Sequence, residues 1–491
     1  MQKKNLKPRR WIALAVLVLP VLLTSMDFSI LYLAAPAINT DLSPTSSQSL
    51  WILDIYGFVL AGLLITAGNL SDKFGQRKVL LIGATLFGLA SLAAAFSSTP
   101  EMLIAARALM GLGGATLMPS TLALIRHLFT DSRERAKAIG VWTAAFAGGG
   151  IIGPIIGGGL LSVFSWGSVF LINIPFLIVL LVAAPILIPE VRHASKARLD
   201  IPGALLSVAT IFLFVYGIKH MAEKMNWDIF GILAMIASAV LLTFFVRRLR
   251  TVKNPLFDVV LFKNRQFSVA IMTLMIAMVV LLGSNMYTAQ YLQLVLGMSP
   301  LAAALWMSPI ALSGIVGSIV GSQLTMTLRP KLALSSCFAV AIAGLSILAL
   351  LFMFSGVGTV LVGSVLLSTG LTAVMAIATN IVIAGVPAKR AGAASAIQET
   401  SSELGGALGI AFLGSLGAFI YKMELEPHNV SVVAQDSLAS AVKLSRVTSD
   451  VELLDTATAA FTTGFSAVAA ICAVVMVLFT VWIRGIVTGK K

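Results

Sequence analysis

"GNLSDKFGQRKVL", residues 68–80, is a short basic turn between two long apolar runs, and a weaker copy, "GSQLTMTLRPKLAL", occupies residues 321–334. Each begins with Gly, closes on a basic cluster and re-enters an apolar run. A turn carrying Lys73, Arg77 and Lys78 between two spans is the pattern of a connection held on the cytoplasmic side of a membrane. Its recurrence in the second part of the chain predicts two related halves, and parallel six-helix halves place a substrate site between them near the bilayer midplane.

The rest of the chain fits that frame. Of 491 residues, 58% are hydrophobic and 11% charged, and the mean hydropathy is +0.99. A soluble chain carries roughly 25% charged residues, so these values define an all-α polytopic membrane protein. The apolar runs give fourteen predicted spans, including 11–36, 49–70, 101–125, 136–163, 201–219, 229–246, 392–421 and 461–484. The expected organisation is an N-terminal six-helix bundle over 1–190, two inserted helices with cytoplasmic linkers over 191–265, and a C-terminal six-helix bundle over 266–491. The inserted pair reads as plain and nearly free of internal polar groups. A long outer loop is expected over 422–460, with "SLASAVKLSRV" at 437–447 spaced as a short surface helix.

Net charge is +14, which in a soluble chain suggests nucleic acid. Here 28 of the 34 Lys and Arg fall in the connections on the side of the N-terminus, and five (Lys219, Lys224, Lys422, Lys443, Arg446) fall in the opposite loops. That asymmetry places both termini in the cytoplasm and argues against a nucleic-acid partner. Cys337 and Cys472 both lie within predicted spans, which excludes a disulfide framework as the organising principle. The basic N-terminus precedes an apolar run too long for a signal peptide and reads as an uncleaved first helix.

Ionisable residues within spans are costly and default to functional hypotheses. Asp27, Asp54, Arg107, Glu399 and Glu403 are the ones predicted here. Glu399 and Glu403 share one helical face; counted from Arg390 at about 1.5 Å per residue, they lie about 13 Å and 19 Å deep. Two carboxylates one turn apart resist double ionisation and titrate together. Such a pair stays protonated until a cation arrives, which is the minimal basis of proton–cation exchange. Helix packing satisfied by Thr400 or Ser401 is the alternative. Asp27 reads either as a cavity carboxylate or as a packing partner of Arg107, and Asp54 either as functional or as interfacial. Arg107 stays charged and must pair.

"GGGIIGPIIGGG", residues 148–159, places Gly149, Gly153 and Gly157 at intervals of four, which admits a neighbouring helix closely, and Pro154 bends the helix. Tyr287, Tyr291 and Trp306 are candidate cavity-lining aromatics from their helix positions. No nucleotide-binding loop or metal-ligand cluster is present in the sequence.

Several of these stretches resemble the major facilitator superfamily. Residues 68–78 match its G-x-L-x-D-x-x-G-x-[RK]-[RK] signature through Gly68, Leu70, Asp72, Gly75, Arg77 and Lys78. "RALMGLGGA" from Arg107, "GGGIIGPIIGG" and "MDFSILYLAAP" are similar to further signatures of its fourteen-helix drug:proton antiporters, and the nearest resemblance is to quaternary-ammonium and methyl-viologen exporters. The resemblance implies a monomeric antiporter of the bacterial inner membrane. It would export lipophilic organic cations such as quaternary ammonium antiseptics, biguanides and dyes, using the proton gradient and no cofactor. It also implies a conformational latch at Asp72, proton coupling at Arg107 and antiporter closure at the Gly149–Gly157 stretch. A proton-coupled metabolite transporter and a non-transporting membrane sensor are the rival readings. Two departures stand out: "SPIALSGIVGS" at 308–318 lacks an acid linked in relatives to dications, and Gly167 replaces a common Arg.

Overall fold

The computed structural model describes residues 6–191, 200–224, 228–252, 259–386, 391–428 and 430–486. The basic connections read from sequence at 192–199, 253–258 and 387–390 lie outside the described residues. Regular structure among those described is helical, with fourteen helices long and apolar enough to cross a bilayer. A spanning chain has this form because backbone polar groups in hydrocarbon must be satisfied within the segment.

The first half comprises α1 (Leu6–Leu42), α2 (Ser46–Phe74), α3 (Gln76–Ala95), α4 (Pro100–Leu128), α5 (Ser132–Val163) and α6 (Ser168–Leu187). The inserted pair is α7 (Ile201–Lys224) and α8 (Ile229–Thr251). The second half comprises α9 (Arg265–Gln290), α10 (Pro300–Thr327), α11 (Pro330–Ala349), α12 (Val357–Ala384), α13 (Ala391–Leu425) and α14 (Val451–Ile486). Sequence-encoded caps set several starts. Thr45 and Gln48 form a capping box before α2, and Asp131 accepts from Arg133 N and Glu134 N before α5, each satisfying orphan helix-start donors. Pro occupies the first turn of α4, α10 and α11, where no donor is lost.

The signature turn between α2 and α3 has a structural task. Gly75 adopts φ +111°, a conformation other residues rarely take, and it delivers Arg77 to the end of α6. Arg77 donates through Nη1 to the carbonyls of Pro185 at 3.1 Å and Ile188 at 2.8 Å, and its backbone N–H donates to Glu190. These bonds take up carbonyls that a helix end leaves orphaned. Gln76 donates to Asp72 at 3.3 Å, and Lys78 is exposed.

The glycines of α5 divide between two partners. A Cβ on Gly149 would lie 2.7 Å from the Leu22 carbonyl, on Gly153 3.1 Å from Met26 Cα, and on Gly157 2.8 Å from Ile30. All three therefore seat α5 on α1, with Pro154 buried among them. Gly158, one residue on and about 100° round the helix, would meet Leu301 Cα and the Pro300 carbonyl at 2.9 Å. It brings α5 against α10 and so joins the two halves.

The second junction is α2 on α13, where Gly57 faces Ala407 at 3.2 Å and Gly414 faces Leu50. An even number of spans puts both chain ends on one face, the terminus face, and the α13–α14 connection on the opposite loop face. Both junctions lie toward the loop face. There Lys443 of the short helix Leu438–Thr448 also donates to the Thr40 carbonyl at 2.6 Å and Ser43 Oγ at 2.9 Å on α1. Toward the terminus face α5 is largely exposed, and a Cβ on Gly140 or Gly148 would meet nothing within 4 Å. The halves thus close at the loop face and part below it.

Two sequence expectations are corrected. The 422–460 loop is mostly helical: α13 runs to Leu425, α14 starts at Val451, and Val432–Asp436 and Leu438–Thr448 lie between them. Its ends extend beyond the apolar runs because "VELLDTATAA" is amphipathic and polar. Lys219 is no loop residue. It lies inside α7, 2% exposed, so the inserted pair is not free of buried charge.

Replacing Gly158 with Leu should separate α5 from α10 at the loop face. In detergent-solubilised protein carrying Leu50→Cys, a soluble thiol reagent should then label the cysteine several-fold faster; an unchanged rate would contradict this account of the junction.

Candidate functional site

Four of the five ionisable residues predicted within spans meet in one polar core, together with residues that the sequence reading passed over. Arg107 of α4 is fully buried, and its Nη1 donates to Asp27 Oδ2 of α1, also buried. Arg107 Nε donates to the Ile52 carbonyl of α2 at 3.2 Å. The guanidinium also lies 4.8 Å from the centroid of the Tyr56 ring, a cation–π arrangement. One arginine thus ties α1, α2 and α4. Desolvating an ion pair costs several kcal/mol per ion unless further contacts compensate; the Ile52 carbonyl and the Tyr56 ring compensate in part, with Nη2 left unpartnered among the described residues.

Asp54, about two turns from the loop-face end of α2, pairs with Lys219 of α7. Nζ lies 2.9 Å from Oδ1 and 2.8 Å from Oδ2, and 4.0 Å from the centroid of the Trp51 ring. Asp54 is therefore buried and paired, not interfacial. Around it Trp51, Ile55 and Phe58 of α2, Val215 of α7, and Ala407 and Ala411 of α13 form one apolar cluster that seals the pair from solvent.

Glu399 and Glu403 differ in kind. Neither has a hydrogen-bond or ion-pair partner among the described residues, and Thr400 Oγ1 beside them is buried without one. Packing satisfied by Thr400 is therefore not observed. Glu403 is 6% exposed and Glu399 more so. Ala407, one turn above Glu403, makes the Gly57 contact that closes the halves. Glu403 accordingly sits at the apex of the opening between the halves, and Glu399 one turn nearer the terminus face.

Tyr32 and Tyr56 lie within electrostatic reach of both Arg107 and Glu403. Their hydroxyls, and Arg107 Nη2, are buried with no hydrogen-bond partner among the described residues. Such orphaned groups are costly, and the Tyr56 ring is in contact with the arginine.

The candidate aromatics scatter. Tyr287 stacks on Phe465 with centroids 5.3 Å apart and donates to the Leu413 carbonyl at 2.7 Å; it borders a loop-face cleft with Leu50 and Gly414. Tyr291 opens a π-helical turn, Tyr291–Val295, and its hydroxyl accepts from Gly356 N at 3.2 Å. Trp306 on α10 is 41% exposed. None of the three adjoins the glutamates in the contacts described. Gly68 and Asp72 belong to the α2 end at the terminus face, with Gly68 facing Pro119 at 3.7 Å.

Sequence reasoning missed Lys219, Tyr32 and Tyr56. For Lys219 a signal existed: an acid at Asp54 needs a partner, and a lone lysine closing an apolar run can supply it. The tyrosines carried none, since an aromatic in an apolar run is ordinarily core.

Fourteen spanning helices, two six-helix halves and an inserted pair, with the halves parted on one face around unpaired carboxylates, define a secondary-transporter architecture. The chain belongs to the Major Facilitator Superfamily, whose family model matches residues 17–410. It is 37% identical over 484 residues to the multidrug efflux pump LfrA of Mycolicibacterium smegmatis, covering 95% of this chain and 94% of that protein. It is 36% identical over 412 residues to the methyl viologen resistance protein SmvA of Salmonella typhimurium, covering 83% and 82%. In fold it is similar to a bacterial homolog of the human lysosomal transporter Spinster, solved inward-facing and unoccupied, with a TM-score of 0.71, 16% identity and 98% of each chain covered. The protein is a multi-pass membrane transporter, not an enzyme.

Arg107→Met strands the Asp27 carboxylate and should lower stability by about 3–5 kcal/mol, whereas Asp27→Asn with Arg107→Met should recover most of that loss. Thermal unfolding in detergent reads both; equal losses would show that the pair does not act as a unit.

Proposed function

We propose that the protein exports lipophilic organic cations in exchange for protons, with the terminus face in the cytoplasm of a bacterial cell. The observation that carries this reading is the unpaired Glu399–Glu403 couple at the apex of the opening between the halves. In a low-dielectric core an unpaired carboxylate holds a proton, because burial disfavours its charged form. An arriving cation supplies the missing countercharge, and the proton leaves. The couple then carries either protons or cation, which is the stoichiometric linkage that antiport requires.

The cycle follows from the packing. With the loop face closed, a cation enters from the terminus face along α13, meets Glu399 and then Glu403, and releases a proton to that side. The Met278 side chain of α9 lies 3.8 Å from the Cβ position of Gly406 just above, and methionine adapts to varied ligand shapes. The halves then rock about the α2–α13 and α5–α10 junctions, the loop face opens, and protons from outside displace the cation. Asp27 stays neutralised by Arg107 and shapes the field felt at Glu403. The relatives named for multidrug efflux and methyl viologen resistance support this substrate class, and the likeness to a structure solved inward-facing supports the sense of the opening. A monomeric transporter driven by the proton gradient alone is part of the same proposal.

In vesicles holding the reconstituted protein, Glu403→Gln should abolish proton movement driven by tetraphenylphosphonium while the protein stays folded and membrane-inserted. Undiminished exchange would contradict the role given to α13.

A further inference from the structure

We propose that Lys219 determines which cation charge the transporter accepts: as a resident cation it fills the site formed by Trp51 and Asp54 and withdraws one carboxylate from those a transported cation meets. This inference rests on the cation-export reading above. The geometry is that of a bound cation. Nζ lies 2.8–2.9 Å from both Asp54 oxygens and 4.0 Å above the Trp51 ring, combining the two features that recognise an organic cation, a carboxylate and an aromatic face. The ligand is the protein's own amine, delivered by α7.

The charge balance of the core gives the site its consequence. Among the described residues, Asp27 is cancelled by Arg107 and Asp54 by Lys219, which leaves Glu399 and Glu403 as the acids without a partner. Asp54 is not remote from them: Ala407, one turn from Glu403, packs in one cluster with Trp51 and Ile55, which sit on either side of Asp54 along α2. Without Lys219, Asp54 becomes a third exchangeable carboxylate. Its charge would favour a dication twice as strongly as a monocation. A unit charge about 10 Å from the ligand at an effective dielectric near 20 shifts their ratio about tenfold.

The test uses full-length protein in vesicles, with tetraphenylphosphonium as monocation and methyl viologen as dication. Lys219→Met should raise the dication-to-monocation transport ratio about tenfold and raise the protons moved per dication. Lys219→Gln, which keeps a hydrogen-bond donor to Asp54 and is the safer fold, should do the same. Lys219→Gln with Asp54→Asn, lacking the added carboxylate, should restore the wild-type ratio. A ratio unchanged within about twofold in both single variants, or a raised ratio that persists in the double variant, would overturn the proposal. Wild-type protein that moves neither probe would instead overturn the export reading, before any substitution is made.

Discussion

An ionised side chain inside a bilayer must find a countercharge, find hydrogen bonds or take up a proton, and this constraint organises the polar core of the protein. Arg107 cannot shed its proton, so its surroundings are built to hold it: Asp27 as countercharge, the Ile52 carbonyl as acceptor and the Tyr56 ring as a polarisable face. Asp54 meets the same requirement through Lys219. Glu399 and Glu403 meet it in neither way. In the proposed antiport they are left to a mobile partner, a proton or a cation, and that difference would separate scaffold from working site.

The packing closes the halves on the loop-face side of this site. Small residues let the halves approach closely at two places, Gly158 against Leu301 and Gly57 against Ala407. Close approach matters in lipid, where helix association relies on van der Waals contact more than on the hydrophobic effect. Because Ala407 lies one turn above Glu403, the closing contact and the exchanging acid sit on the same helix and move together. Occupancy of the acid can therefore bias the junction. The outer helix Leu438–Thr448 reinforces closure through Lys443 on α1. The Arg77 bonds tie the α2–α3 turn to the end of α6 within the first half.

Much of this was legible in the sequence, for physical reasons. Hydropathy reports spans directly, because the bilayer requires long apolar helices, so the fourteen helices and their two-half arrangement could be read from runs and turns. The four-residue spacing of Glu399 and Glu403 puts them on one helical face, but does not show that Glu403 is buried while Glu399 is partly exposed. What stayed hidden depends on helix rotation and partner choice. The every-fourth-residue glycines were legible as a close-packing face, but not that Gly149, Gly153 and Gly157 face α1 while Gly158 faces α10. Lys219 was lost because it is the last residue of the predicted span 201–219 and counts there as a loop charge, whereas the helix continues to Lys224. Tyr32 and Tyr56 look like core until their unpartnered hydroxyls are seen beside Arg107 and Glu403.

The central claim is that a cation and a proton claim the same carboxylates. It is tested most directly with purified protein in weakly buffered detergent, titrated with tetraphenylphosphonium while a pH dye reports released protons. The account predicts that protons appear in step with binding and reach a plateau at saturation, and that the double variant Glu399→Gln, Glu403→Gln releases none. Saturable binding of the cation to the wild-type protein with no proton release would contradict it.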